Sequence, residues 1–226
     1  RIFDAVRDGD ATGLAEQMRL LQTKYESLGH VYSNFLANHD QPRTRTLLGG
    51  DLDKCKLAAT LQFTQPGTPF IYYGEELGMT GDKPDPEIRT PMPWTTEQGT
   101  AGFTTARPWK ALNDNPAEVS VQAQTDDDAS LLSHYRGLIR LRQTEPALRS
   151  DAAQVVDTGD SRVIAYFRGT GTDRLLVVAN VSEEAIVTPG NRAMGSEVLL
   201  GELPEDGRMS GLSAVVIRWP DRNAGE

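Results

Sequence analysis

The clearest indication of the architecture is the stretch Val31-Tyr-Ser-Asn-Phe-Leu-Ala-Asn38, whose β-branched and aromatic residues predict a buried strand. A helix is predicted from Asp51 to Gln65, because its apolar residues recur with helical spacing and a Pro-Gly pair follows. The apolar run Pro69-Phe-Ile-Tyr-Tyr73 predicts a second short strand. Strand, helix and strand over this length indicate a right-handed βαβ unit with parallel strands.

Helices are predicted on both sides of this unit. Apolar residues from Leu14 to Leu28 recur at helical spacing, and a further helix is predicted from about Ser130 to Arg142. Between Gly74 and about Asp128 no periodicity is present and prolines are frequent. Loops of this length are uncommon in compact domains and usually carry function, so we expect this segment to contribute to a site.

The pattern changes to all-β after Pro146. A meander or sandwich is predicted, because short apolar runs alternate with Gly, Asp, Asn and Pro. The sequence therefore predicts two domains, an α/β part at 1–146 and a small β domain at 147–226. The candidate strands are Ala153–Val156, Val163–Arg168, Arg174–Val181, Ala185–Val187, Glu197–Leu200 and Ala214–Trp219.

Composition excludes several classes of function. The 226 residues carry 23 Lys and Arg against 32 Asp and Glu, a net charge of -9, which argues against nucleic acid or an anionic membrane surface as a partner. The longest apolar runs stop well short of a membrane helix, which needs about 20 residues. Cys55 is the only cysteine, so an internal disulfide is excluded. No charged-then-apolar leader follows Arg1, so we expect no signal peptide in these residues; extracellular and cytoplasmic locations both stay open.

Polar residues follow the first predicted strand, where parallel βα architectures place their reactive groups. Asn38, His39 and Asp40 combine an amide, an imidazole and a carboxylate, which suits a polar ligand. The alternative is that Asn38 and Asp40 only turn the chain. Arg43 follows three residues later and could pair with Asp40 or with a ligand.

The second predicted strand ends in Tyr72-Tyr73-Gly74-Glu75-Glu76. Gly74 would allow a sharp turn, and Tyr73 could stack on a ligand. Paired carboxylates can carry out glycoside hydrolysis, but neighbours in sequence point in different directions, so a structural role is favoured for both glutamates. No group of His, Asp and Glu has metal-ligand spacing, and no metal site is predicted.

Several motifs, in the same order along the chain, resemble the α-amylase superfamily, glycoside hydrolase family 13. Phe35-Leu-Ala-Asn-His-Asp-Gln-Pro-Arg43 resembles its fourth signature region, and Gly67–Met79 is similar to its last barrel strand and the following loop. Arg89-Thr-Pro-Met-Pro-Trp94 and Ala101-Gly-Phe103 resemble a loop of its bacterial α-amylase and α-glucosidase branches. Residues 107–142 resemble the family's approach to its final barrel helix, and the β-rich tail resembles the family's C-terminal domain.

This resemblance implies a retaining α-glucan enzyme on a (β/α)8 TIM barrel, with a nucleophilic aspartate after the fourth strand and a glutamate acid/base after the fifth. Asp40 matches the third catalytic carboxylate, which holds the sugar hydroxyls as the transition state forms. His39 matches a neighbour that hydrogen-bonds the same sugar. Arg89 is expected to reach the non-reducing sugar; the alternative is that it pairs with Asp85 or Glu87 and holds the loop.

The resemblance also assigns the parts of the chain. It implies that residues 1–146 supply strands 7 and 8 of the barrel with their helices, and that residues 147–226 form an antiparallel β-sandwich. This segment itself is expected to need no cofactor. The N-terminal part of the barrel is its expected partner. That part would hold the nucleophile, the acid/base and the calcium-binding loops that some members carry. The chain alone is therefore expected to be inactive.

The implied function is α-amylase-like hydrolysis of α-1,4-glucan, such as starch, or of maltooligosaccharides. The alternatives are an α-glucosidase, a transglycosylating relative such as a trehalose synthase, or, in another class, a non-catalytic family 13-like binding or scaffold module. An aspartate and a glutamate at the fourth and fifth strand ends of the whole protein would favour an enzyme over the module.

Overall fold

A computed structural model describes residues 1–26, 32–171, 174–187, 197–202 and 206–219. Up to residue 150 the described elements are helices and one pair of short strands, and the chain between Phe70 and Val121 is irregular apart from one short helix. None of the helices in the described ranges is long and apolar enough to cross a membrane. The elements of this part are α1 (Ile2–Asp8), α2 (Thr12–Glu26), β1 (Ser33–Phe35), α3 (Thr44–Leu47), α4 (Leu52–Thr64), β2 (Thr68–Phe70), α5 (Asp85–Ile88), α6 (Val121–Gln124), α7 (Leu131–Thr144) and α8 (Pro146–Arg149).

The N-terminal region forms two helices where one was predicted. Gly9 ends α1 with a φ of 71°, a left-handed conformation that glycine adopts without steric cost. The second helix, α2, begins at Thr12 and carries the predicted apolar stripe. The predicted continuation of that stripe to Leu28 lies outside the described residues.

The predicted βαβ unit is confirmed as two parallel strands with α4 between them. Ser33 pairs with Thr68 and Phe35 with Phe70. The Asp51 carboxylate caps the start of α4 by accepting hydrogen bonds from the backbone amides of Asp53 and Lys54, at 2.8 and 3.0 Å. Both strands are shorter than predicted, because the chain turns soon after Phe35 and again after Phe70.

The two faces of this strand pair differ. Asn34 points to the helices and donates to the backbone carbonyls of Gln62 and Pro66, at 3.3 and 3.1 Å. Phe35 and Phe70 lie on the other face and are 48% and 56% exposed. Alternation of side chains along a strand places both rings on the same uncovered surface.

An antiparallel sheet follows, as predicted. Its strand order is β3-β4-β5-β9-β7, and a separate pair joins β6 to β8. The pair places Ile186 and Met209 on one face of the sheet, but the described residues do not establish a complete second sheet, so the sandwich stays a prediction. The strands are β3 (Ala153–Val156), β4 (Val163–Arg168), β5 (Leu175–Asn180), β6 (Ile186–Val187), β7 (Val198–Leu200), β8 (Arg208–Met209) and β9 (Ser213–Arg218).

The apolar core is continuous across the predicted boundary between residues 146 and 147. The hydroxyls of Tyr166 in β4 and Thr64 in α4 lie 2.5 Å apart. Arg168 is fully buried and donates to the backbone carbonyls of Thr64, Leu148 and Ser150. These bonds tie the sheet to the helices that carry the strand pair.

Candidate functional site

The loop after β1 presents Asp40 to solvent. The side-chain oxygen of Asn38 accepts a hydrogen bond from the Asp40 amide at 2.9 Å, which forms the turn. The Asp40 carboxylate takes no part in this turn, and its side chain is 63% exposed. Of the two residues proposed to turn the chain, Asn38 does so and Asp40 leaves its carboxylate available.

Two nitrogen-bearing side chains flank the Asp40 carboxylate. His39 Nε2 lies 3.3 Å from Asp40 Oδ2, and Arg89 Nη2 lies 3.2 Å from Asp40 Oδ1. Arg89 also donates from Nε to the backbone carbonyl of His39 at 2.9 Å. The fold thus brings together three of the predicted site residues, from the loops after both parallel strands. The group offers a carboxylate, an imidazole and a guanidinium to a ligand rich in hydroxyls.

Arg89 also makes an ion pair within its own loop, which was the alternative role proposed for it. Its Nη2 lies 2.6 Å from Asp85 Oδ2, one helical turn earlier. Glu87, the other proposed partner, instead lies 2.5 Å from Lys110 Nζ. Arg89 therefore bridges the irregular segment after β2 to the Asp40 loop.

Arg43 is not brought to Asp40, although the two are close in sequence. Its side chain is buried, its Nη1 donates to the backbone carbonyl of Tyr73 at 2.7 Å, and its guanidinium lies 4.8 and 4.7 Å from the ring centres of Tyr72 and Tyr73. Such stacking of a guanidinium on aromatic rings is favourable. In this arrangement Arg43 supports the loop after β2. Of its two proposed partners Asp40 is not in contact with it, and contact with a ligand stays a prediction.

Tyr73 lies at the end of the second strand with its ring partly exposed. Its hydroxyl donates to the backbone carbonyl of Thr90 at 2.8 Å, next to Arg89. Gly74 follows with a φ of 79°, and a Cβ there would lie 2.1 Å from Met79 Sδ. The sharp turn predicted at this glycine is confirmed, and it leaves Tyr73 beside the segment that carries Arg89.

Glu75 is a buried carboxylate whose contacts the sequence did not reveal. It is 5% exposed and accepts hydrogen bonds from Tyr135 Oη at 2.8 Å and from Thr44 Oγ1 at 3.0 Å. Burial raises the pKa of Glu75 to about 7, although these hydrogen bonds oppose the shift. Glu76 and the buried Cys55 are the other titratable groups that face it.

We expect Glu75 to make the free energy of unfolding depend on pH. Because its pKa is about 7 in the folded protein against 4.5 for the ordinary group, the folded state binds the proton more tightly. The resulting stability is fully present below about pH 4.5 and is lost as the pH rises through 7, by on the order of 3 kcal/mol. Denaturant unfolding of the full-length protein between about pH 5 and pH 8 measures this effect. The free energy of unfolding of Glu75→Gln should rise relative to that of the wild type as the pH rises.

The exposed Glu118 provides the control for this experiment. Glu118→Gln should leave the pH dependence of stability unchanged, since within the part of the chain that the structure describes its side chain bonds locally, to Asn115. Parallel curves for Glu75→Gln and the wild type would contradict the raised pKa of Glu75.

Comparison with known proteins extends the resemblance seen in the motifs. Residues 9–151 match the family model of the α-amylase catalytic domain. The chain is 36% identical over 148 residues to "Alpha-amylase 3" of Dictyoglomus thermophilum, which covers 66% of this chain and 30% of that protein. It is 29% identical over 223 residues to an oligo-1,6-glucosidase of Parageobacillus thermoglucosidasius, covering 80% of this chain and 39% of that protein.

Solved structures share the fold. The crystal structure of a trehalose-6-phosphate hydrolase from Bacillus licheniformis matches with a TM-score of 0.77 and 26% identity, covering 90% of this chain and 46% of that one. This chain spans between 30% and 46% of the length of the three relatives described. The region of the family match contains the Asp40 loop, the βαβ unit and the Arg89 segment. Because the catalytic-domain model matches more than half of the chain, this protein belongs to the α-amylase family, glycoside hydrolase family 13.

Proposed function

We propose that this segment is part of a retaining glycosidase that hydrolyses α-1,4-glucan or maltooligosaccharides, in which Asp40 is one of three catalytic carboxylates. The observation that carries the proposal is the exposed carboxylate of Asp40 at the carboxyl end of β1, with His39 and Arg89 within 3.3 Å. In barrels of parallel strands this edge holds the active site. Membership in a family of glycosidases supports the assignment.

The three side chains have complementary tasks in this proposal. Hydrolysis by a retaining enzyme passes through an oxocarbenium-like state, in which hydrogen bonds to the sugar hydroxyls strengthen. Asp40 accepts those bonds with a full negative charge, and His39 binds a neighbouring hydroxyl. Arg89 fixes the carboxylate from the opposite side. Bond cleavage itself needs a nucleophile and an acid/base, which we assign to the N-terminal part of the barrel.

A second candidate is an enzyme that acts on short oligosaccharides, an α-glucosidase or a transglycosylating relative such as a trehalose synthase. Arg89 favours it, because its guanidinium beside Asp40 can donate to a terminal sugar from Nη1, which its bonds to His39, Asp40 and Asp85 do not use. The 80% coverage of this chain in the match to an oligo-1,6-glucosidase agrees with such a role.

Turnover by the full-length protein that carries this segment tests the proposal. Soluble starch, maltoheptaose, isomaltose and p-nitrophenyl α-glucoside should be compared, with the product anomer followed by NMR. We expect the α-linked substrates to give α-anomeric products and the long glucan to be the best substrate. Preference for isomaltose or the nitrophenyl glucoside would favour the second candidate, and no turnover of any substrate would indicate a non-catalytic module.

Arg89→Ala separates a role in substrate binding from a role in holding the loop. If Arg89 grips the terminal sugar, kcat/KM should fall about tenfold more on maltotriose than on starch, which other subsites also hold. Lys110→Ala is the control, because Lys110 pairs with Glu87 in the same segment without contacting Asp40. Equal losses of kcat/KM on both substrates, together with a lowered melting temperature, would indicate that Arg89 only holds the loop by its ion pair with Asp85.

A further inference from the structure

One buried carboxylate faces both ends of the loop that carries His39 and Asp40. Glu75 accepts a hydrogen bond from Thr44 Oγ1, at the first residue of α3, at 3.0 Å. The backbone amide of Ala37, at the start of the loop, also faces this carboxylate and favours its charged form. Ala37 and Thr44 bound the segment on either side of Asp40, and Glu75 faces both from the loop after β2.

The position of Glu75 is fixed from the helix layer. Tyr135 of α7 donates to Glu75 Oε1 at 2.8 Å, and its ring is fully buried. The Tyr135 ring packs edge-on against Phe63 of α4, with the ring centres 5.9 Å apart. The carboxylate therefore connects the Asp40 loop to the two long helices behind the strand pair.

Burial keeps Glu75 from touching a substrate. At 5% exposure it lies beneath the loop, while the Asp40 side chain on the same loop is 63% exposed. A buried carboxylate is costly unless donors satisfy it, and here the donors are the hydroxyl of Thr44, at the end of the loop, and the hydroxyl of Tyr135 in α7. An apolar residue at this position would leave both hydroxyls without this acceptor.

We propose that Glu75 is a positioning residue, which holds the end of the 37–44 loop through Thr44 so that the Asp40 carboxylate keeps its place against the sugar. This inference rests on the proposed function of Asp40. Its physical basis is the steep dependence of catalysis on geometry, since a displacement of about 1 Å far from the chemistry can cost a hundredfold in rate. The required groups are oxygen acceptors, so a glutamine should largely replace the glutamate.

The test compares variants of the full-length protein assayed with maltotriose, well below the melting temperature of each. Thr44→Val and Glu75→Leu should lower kcat about tenfold and change KM less than about threefold. Glu75→Gln should keep kcat within about threefold of the wild type, because its amide oxygen accepts from one of the two hydroxyls and the other hydroxyl can turn to accept from the amide NH2. Thr64→Val is the matched control: it removes an equally buried hydroxyl that bonds to Tyr166, away from the loop.

Asp40→Asn distinguishes this inference from the proposed function. If Asp40→Asn loses activity while folded Thr44→Val and Glu75→Leu keep kcat within twofold of the wild type, Glu75 has no positioning role. An equal loss in Thr64→Val and Thr44→Val would also overturn the inference, since the effect would then follow stability alone. If Asp40→Asn keeps full activity, the proposed function fails first. If Glu75→Leu does not fold, the comparison of kcat between Thr44→Val and the control Thr64→Val tests the positioning role.

Discussion

Replacing Asp40 with asparagine in the full-length enzyme should lower kcat at least about a hundredfold, or roughly 2.7 kcal/mol of transition-state stabilisation. Asparagine keeps the size of the side chain and can still accept from Arg89, but it lacks the negative charge. The charge matters most when positive charge develops on the sugar, so kcat should fall more than KM rises. Steady-state kinetics on maltoheptaose measures both constants.

Two comparisons make this result specific. His39→Asn should lower kcat less than Asp40→Asn does, because an uncharged side chain can replace one hydrogen bond to the sugar. Asp82→Asn is the matched control, since Asp82 is an exposed aspartate that caps the amide of Lys83 within the loop after β2. A near-normal kcat for Asp40→Asn would reduce Asp40 to a surface residue of the turn that Asn38 forms.

Local periodicity was enough to predict the elements around the site. The helical repeat within 51–65 and the apolar run at 69–73 predicted α4 and β2, and the register of Phe35 with Phe70 confirms the parallel pairing. In the tail, β3 and β4 have the predicted bounds, because turn residues mark both ends of each strand. The two-residue strand β8 was missed, since Arg208 and Met209 form no apolar run of the kind that marks β6.

The contacts of the site were harder to predict, because they join residues far apart in the sequence. Arg43 lies three residues from Asp40, yet its guanidinium is buried against tyrosines from the next strand end. Arg89 reaches the Asp40 loop across 49 residues and pairs with Asp85 at the same time. A sequence indicates which residue types are available, whereas the fold decides which of them meet.

Glu75 shows the same limit from the opposite direction. Two adjacent glutamates after a strand carry no local signal that one of them is buried; a structural role was favoured over a catalytic pair, without its contacts. The bonds of Glu75 to Thr44 and Tyr135 span 31 and 60 residues, so they exist only once the helices have packed. The raised pKa of this group follows mainly from burial in that packing, and the adjacent carboxylate of Glu76 adds a smaller contribution.

The strand pair leaves an apolar surface that needs a cover. Within the described residues β1 and β2 pair only with each other, and the rings of Phe35 and Phe70 face outward beside them. Unpaired strand edges and exposed apolar faces favour association with further strands. In a closed barrel the side chains of the other strands would fill this face. The 226-residue chain by itself should therefore be poorly folded and prone to aggregate.

We expect the purified 226-residue chain to turn over starch and p-nitrophenyl α-glucoside at less than about 10⁻⁴ of the rate of the full-length enzyme, since loss of catalytic residues that act as a unit costs more than that. Adding the separately produced N-terminal part of the barrel should restore activity, because both the missing carboxylates and the missing strands would then be supplied. The same mixture made with an Asp40→Asn chain should stay near background, which shows that the restored activity depends on this segment. Clear turnover by the pure chain alone would contradict both the division of the catalytic groups and the assignment of the strand pair to a larger barrel.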